Sequence, residues 1–271
     1  MKILKNILVL SILLSVLPVS TYALINLIEQ RDITSITSSG FGLAYDWTND
    51  SLWVGDEEND ILYRIDMASI PNIEQMVLIL TGPITAYGLE YDGSTVLVCG
   101  NDSFIYRMNL GSGEGNLYRS APDPWIGNQP LALDVINDAI YSGDWEVDNL
   151  GYANPAQTGT WQTWGAADFS GLACAYNGID SPQYLFAVNQ NPTQAYLYVY
   201  ALQNGIPQFP PCAMDPLPGG MSQINTGDCA YDGEYLYVLD NQPPTSYIYV
   251  LEWVDTAVYL ESLGTVKALF K

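Results

Sequence analysis

One phrase recurs along this chain, and a repeat of tens of residues constrains the fold more tightly than any single motif. Gly42-Leu-Ala-Tyr-Asp46, followed by Ser51-Leu-Trp-Val-Gly-Asp56, aligns without a gap to Pro130-Leu-Ala-Leu-Asp134 followed by Ala139-Ile-Tyr-Ser-Gly-Asp144. Between them stands Gly88-Leu-Glu-Tyr-Asp92, and later come Cys174-Ala-Tyr-Asn-Gly178 and Cys229-Ala-Tyr-Asp-Gly233. Five copies begin near Gly42, Gly88, Pro130, Gly171 and Gly227, spaced by 41 to 56 residues.

Within each copy the hydrophobic period is two. Ile61-Leu-Tyr-Arg-Ile-Asp66, Phe104-Ile-Tyr-Arg-Met-Asn109, Tyr196-Leu-Tyr-Val-Tyr200 and Tyr247-Ile-Tyr-Val-Leu251 are short and rich in aromatic and β-branched residues, as strands are. Asp92-Gly93, Asn177-Gly178 and Asp232-Gly233 supply the positive φ angles of tight hairpins. The first copy predicts strands over 42–46, 51–55, 61–66 and 75–81, and no amphipathic helix is evident. Four antiparallel strands repeated at this spacing predict an all-β chain, a β-propeller of five blades, with six blades (one degenerate) as the alternative. The last copy predicts its own fourth strand near 257–265, which leaves 24–33 free to clasp the terminal blade. In the third copy, Asp144-Trp-Glu-Val-Asp-Asn-Leu-Gly-Tyr152 is expected to be a loop in place of the third strand.

The phrase Gly42-Leu-Ala-Tyr-Asp46, with Leu52-Trp-Val-Gly-Asp56 and Ile61-Leu-Tyr-Arg-Ile-Asp66, resembles the repeat of secreted bacterial propellers related to the NHL, YVTN and quinoprotein-like proteins. The resemblance spans nearly the whole chain beyond residue 23 and implies the fold. Its motif is structural, and such families include binding proteins, lactonases and lyases, so it carries no site. Five-bladed glycosidases of the arabinanase kind and glutaminyl cyclotransferases look similar in architecture, but their catalytic motifs are not matched.

Residues 1–23 place Lys2 and Lys5 before an apolar run from Ile7 to Val19 and end in small residues at Ala23. That order predicts a secretory signal peptide cleaved after Ala23, leaving 24–271 as one propeller domain. An uncleaved anchor is the alternative, but the run is short for a span of about 20 residues and Pro18 breaks it. No second long apolar segment follows, so no membrane span is expected after cleavage. The expected location is secreted, periplasmic or cell-surface, and the closed ring predicts a monomer.

Chemistry is narrowed by what is missing. With no histidine, a Ser-His-Asp triad, a Cys-His pair and histidine zinc ligation are excluded. A net charge of −22 argues against nucleic acid, whose phosphates demand lysine and arginine. An Asp or Asn closes the second strand of every copy: Asp56, Asn101, Asp144, Asn189 and Asp240. These five oxygen-bearing groups form a candidate Ca²⁺ ring, with Asx-turn punctuation as the blander reading. Departures from the repeat are better pointers to function. Glu90 stands where the other copies have Ala44, Ala132, Ala175 and Ala230, and the 144–148 loop combines Asp144, Glu146 and Asp148 with Trp145. Acid beside aromatic suits a sugar or a protein surface, so Glu90, Asp144, Trp145, Glu146 and Asp148 are the candidate ligand-binding residues. No complete catalytic motif is present. The leading expectation is a non-catalytic propeller recognising an extracellular protein or glycan through its channel-face loops, with no cofactor. The alternative is a carboxylate-based glycoside hydrolase or lyase, with or without Ca²⁺.

Cys99, Cys174, Cys212 and Cys229 permit disulfides in an exported chain. Cys174 and Cys229 fill the same slot of neighbouring copies, too far apart to bridge, so buried thiols are expected. If one bridge forms, Cys212 with Cys229 is the candidate.

Overall fold

A computed structural model describes residues 24–66, 78–79, 84–100, 102–122, 130–144, 148–174, 182–189, 194–218, 226–242 and 244–254. The segment 1–23, the expected fourth strand near 257–265, and Asn101, Trp145 and Glu146 lie outside these residues. The chain folds into five antiparallel sheets, each a blade of a β-propeller, with no helix among the described residues.

The blades follow the repeat. After β1 (Leu24–Asp32), the first blade holds β2 (Gly40–Asp46), β3 (Ser51–Asp56), β4 (Ile61–Asp66) and β5 (Leu78–Ile79). The second holds β6 (Ile84–Tyr91), β7 (Val96–Gly100), β8 (Phe104–Met108) and β9 (Gly115–Ser120). The third holds β10 (Leu131–Asp134), β11 (Ala139–Asp144), β12 (Asn149–Ala153) and β13 (Gln162–Gly165). The fourth holds β14 (Phe169–Cys174), β15 (Tyr184–Asn189), β16 (Tyr196–Gln203), the short β17 (Ile206–Pro207) and β18 (Ala213–Pro216). The fifth holds β19 (Thr226–Tyr231), β20 (Tyr235–Gln242) and β21 (Thr245–Val254). The inner strands β2, β6, β10, β14 and β19 each neighbour the next, and β19 returns to β2.

Alternation works differently here from a sheet with one wet face, because both faces of every blade are buried. Leu43 packs towards the fifth blade, with Ala230, Tyr237 and Leu239, whereas Ala44 packs towards the second, with Leu89 and Val98. Five such clusters fill the five interfaces between blades. Two adjacent sheets must then approach closely near the axis, and glycine permits it. A Cβ at Gly42 would stand 2.7 Å from the carbonyl oxygen of Ala86, and one at Gly171 would stand 2.7 Å from the amide nitrogen of Cys229.

The repeated aspartates fold the hairpins. Asp46 Oδ1 accepts the N–H groups of Thr48 and Asn49, and Asp134 Oδ1 does the same for Ile136 and Asn137. Asp92 accepts from Ser94 and Thr95, and Asp232 from Glu234 and Tyr235. These are Asx turns: a short carboxylate satisfies the amides that a tight reversal leaves unpaired. Gly93 and Gly233 take the positive φ that the sequence predicts at those two turns.

Three expectations are corrected. The 144–152 stretch is not all loop: Asn149–Ala153 forms the third strand and pairs with β11 from Asp144↔Asn149 to Ile140↔Ala153. Cys174 does not share the slot of Cys229, because Leu172, two residues earlier, takes the level of Cys229 in its blade. Cys212 and Cys229 are not bridged, since Cys229 is buried on an inner strand and Cys212 is exposed beside the outer strand β18.

Closure comes from the clasp. β1 pairs antiparallel with β21 from Leu24↔Val254 to Asp32↔Tyr247, so the chain's first strand completes its last blade. Removing 24–32 would bare the edge of β21 and unlock the ring. We expect the chain lacking these residues to lose cooperative unfolding and to aggregate, measured by denaturant titration with light scattering. Unchanged cooperativity would show that closure does not depend on β1.

Candidate functional site

The axis of the ring is organised by a carboxylate. Asp228, fully buried on β19, accepts N–H groups from Leu43 (3.2 Å) and Leu89 (3.0 Å) on Oδ2. It accepts Leu172 (3.2 Å) and its neighbour Cys229 (2.9 Å) on Oδ1. Four inner strands therefore converge on one side chain. Each donor is freed by an irregularity just before it: the register slips between Gly40 and Leu43, Ile84 and Leu89, Phe169 and Gly171, and Thr226 and Cys229. A bulge leaves a peptide group out of the ladder and re-aims it, here towards the axis. Asp228 occupies the position held by Gly42, Gly88 and Gly171 in three other blades. Burial pushes its carboxyl well above the ordinary range, and the four N–H bonds pull it back towards ionisation.

The third blade is tied differently. Its slot holds Pro130, β10 has no register slip, and Leu133 N–H bonds to Glu90 Oε2 at 3.1 Å. Glu90 Oε1 accepts the N–H of Tyr91 at 2.8 Å. The Ala-to-Glu departure seen in the sequence thus lets β6 reach the backbone of the next inner strand. Burial, the largest influence, pushes the Glu90 carboxyl up to about 8, against the two N–H bonds; Asp92 adds a smaller push upward. The side chain still keeps some exposed surface, because it faces a cavity. That cavity, about 20 Å³, has room for a single water molecule. Tyr45, Trp47, Cys174 and Tyr231 line it where inner strands turn into hairpins, and Ala44 and Cys229 line it farther along those strands. Burial raises both thiols well above the ordinary cysteine range, so they stay protonated.

The other candidates sit at the opposite end of the axis. The second-strand residues pair with the starts of inner strands, Asp56 with Gly40, Asn189 with Phe169 and Asp240 with Thr226. Asp56 Oδ1 accepts the N–H groups of Glu58 and Asn59, and its Oδ2 accepts the Thr37 hydroxyl at 2.7 Å. Asn189 Oδ1 accepts the Tyr196 N–H at 2.7 Å, and Asp240 is fully buried and hydrogen-bonded with Tyr249. Among the described residues, no group of three or more His, Cys, Asp or Glu is placed to hold a metal.

Glu90 and the 144–148 segment are not brought together. Asp144 lies two residues beyond Ser142, the partner of Leu131, and Glu90 is bound at Leu133. Four strand residues, about 13 Å, separate the two levels. Asp148 is exposed, in the turn between β11 and β12, at the same end as Asp144. Asp228 is the residue that the repeat did not flag. Its signal is present in the sequence as an acid in a glycine position, but it appears only when the fifth copy is aligned one residue beyond Gly227.

No family model matches this chain, and no curated protein matches it by sequence. Solved structures share its fold. A chain from the crystal structure of a nidogen/laminin complex is 15% identical, with a TM-score of 0.52, over 74% of this chain and 72% of that one. Glutaminyl cyclase from Myxococcus xanthus is 11% identical, with a TM-score of 0.57, over 87% of this chain and 99% of that one. At such identities the likeness concerns the propeller alone.

Two outcomes follow from the buried carboxyls. Asp228→Asn keeps one acceptor oxygen and aims an NH₂ at two N–H donors. We expect a loss on the order of 3 kcal/mol in denaturant titration, and a loss below about 1 kcal/mol would remove Asp228 from the role of hub. Glu90 binds its proton more tightly folded than unfolded, so its contribution is fully present below its ordinary value of 4.5 and lost as pH rises through about 8. Stability should fall across that window, and Glu90→Gln should flatten the fall; parallel curves for the two proteins would contradict this.

Proposed function

We propose that this is an exported β-propeller that binds a protein or glycan at an end of its axis and performs no chemistry on it. The observation that carries the reading is the filled axis. Asp228 closes the centre by accepting four hydrogen bonds from backbone N–H groups, and the cavity beside Glu90 holds about 20 Å³, too little for a sugar ring or a peptide unit. Binding is left to the ends, where loops and hairpins gather. The hairpin end offers Tyr45, Trp47, Tyr91 and Tyr231, with Trp47 and Tyr91 packed edge to face at 4.9 Å. Of these Tyr91 is buried, while the half-buried Tyr45, Trp47 and Tyr231 present a rigid apolar body with a polar tip, which suits a protein or glycan surface. The nidogen/laminin neighbour, itself a protein complex, is in keeping with protein binding.

The second reading, a carboxylate glycoside hydrolase or lyase, draws on one observation. Glu90, pushed up to about 8, lies in the range of a general acid at neutral pH. Glycoside hydrolysis needs a second carboxylate roughly 5 to 9.5 Å away. Glu90 is the one carboxylate among the described residues lining the cavity, and Asp144 and Asp148 belong to the other end.

The purified chain should retain a polysaccharide or a cell-surface protein saturably, and should turn over nothing in a panel of glycosides, polysaccharides and esters. Turnover abolished by Glu90→Gln would replace this reading with the enzymatic one.

A further inference from the structure

Glu90 keeps acceptor capacity after accepting its two backbone N–H hydrogen bonds. An ionised carboxylate has about four lone-pair sites, and Tyr91 and Leu133 occupy one on each oxygen. No lysine or arginine among the described residues pairs with it, and the charged neighbour that acts on it, Asp92, is itself an acid. Once ionised, above about pH 8, this carboxylate has no cation beside it among the described residues, and the cavity it faces is open to a group the size of one water molecule.

The walls refine the choice. Tyr45 gives its hydroxyl to Asp50 at 3.0 Å, and Tyr231 gives its own to the carbonyl of Gly233 at 2.9 Å. Both rings are therefore held with their polar tips turned to hairpins, and with Trp47 they leave an aromatic mouth above a small anionic floor. That sequence of surfaces matches an aliphatic stem ending in a compact ammonium, which buries its methylenes and keeps its charge at the tip. Sugars, metal ions needing several oxygen ligands, and quaternary ammonium groups fit the size or the donor set less well. The hairpins around this end carry Asp46, Asp92, Asp134 and Asp232, with Asp50, Asp138 and Glu234 beside them; Arg107 offsets Asp92 at 2.8 Å. An acidic rim around a low-dielectric opening draws cations inward.

We propose that the cavity beside Glu90 is a seat for a primary ammonium group, presented by a lysine side chain of the binding partner. It rests on the reading of the ring's ends as binding faces, and it assigns this end to a partner that projects lysine.

The test uses the full chain and n-butylamine, with n-butanol and butyltrimethylammonium as the neutral and oversized controls. At about pH 9.5 the amine is still mostly protonated, and Glu90, pushed up to about 8, is ionised. Calorimetric titration should show saturable butylamine binding at least about tenfold tighter than either control, and Glu90→Gln should weaken it about tenfold or more. Trp47→Leu, which spares the carboxylate, should weaken it several-fold and serves where Glu90→Gln does not fold by circular dichroism. Equal binding of butanol, no saturable butylamine binding, or undiminished binding by a folded Glu90→Gln protein each overturns the proposal. A chain that ignores butylamine yet retains a protein or glycan partner would overturn this inference alone and leave the binding reading in place.

Discussion

The carboxylate of Asp228 is the contact on which the ring depends. A propeller's blades are held side to side by apolar packing, which is non-directional and sets no exact angle between sheets. One buried carboxyl with four N–H donors from four blades does set it, because every donor must point at the same two oxygens. Removing a carboxylate from water is costly, and only a full set of partners offsets that cost. The four bulges are the features that supply those partners.

Blade three shows the same rule by exception. With Pro130 in the axial slot and no bulge in β10, it cannot offer Asp228 the N–H that the others do. Glu90 supplies the missing link from the neighbouring blade through Leu133. Two acids, one in a glycine slot and one in an alanine slot, therefore connect all five inner strands. Both departures from the repeat serve architecture first. Glu90 differs from Asp228 in one respect that matters for function: it still faces open space, so its unused acceptor capacity is available to something other than the chain.

The repeat made the blades legible because each copy writes its strands in period two and its turns in aspartate and glycine. The Asx hairpins at Asp46, Asp92, Asp134 and Asp232 follow directly from that local chemistry. What lay beyond the sequence was phase and juxtaposition. The Cys-Ala-Tyr phrase of the fourth copy imitates the fifth, but the strand ladder places Leu172 at the axial level, so Cys174 stands two residues farther along its strand than Cys229 does. The Asp144 segment reads as a loop because its acids mask a short apolar strand, Leu150 to Ala153, that only pairing with β11 reveals. Glu90 stood out as an anomaly, yet its partner at Leu133 is 43 residues away and belongs to another sheet.

The acidity of the chain also acquires a physical division. Carboxylates at hairpin turns spend their oxygens on nearby amides, and that use requires the ionised acceptor but no external partner. Each turn aspartate therefore adds negative potential at an end of the ring as a by-product of folding it. In a closed propeller the hairpins leading out of the inner strands all fall at one end, so charges placed for local reasons accumulate around one opening. A field built this way needs no dedicated binding residues on the rim. Selectivity then falls to the few groups inside the opening that local folding does not consume, and among the described residues Glu90 with its aromatic mouth is the group that meets that condition.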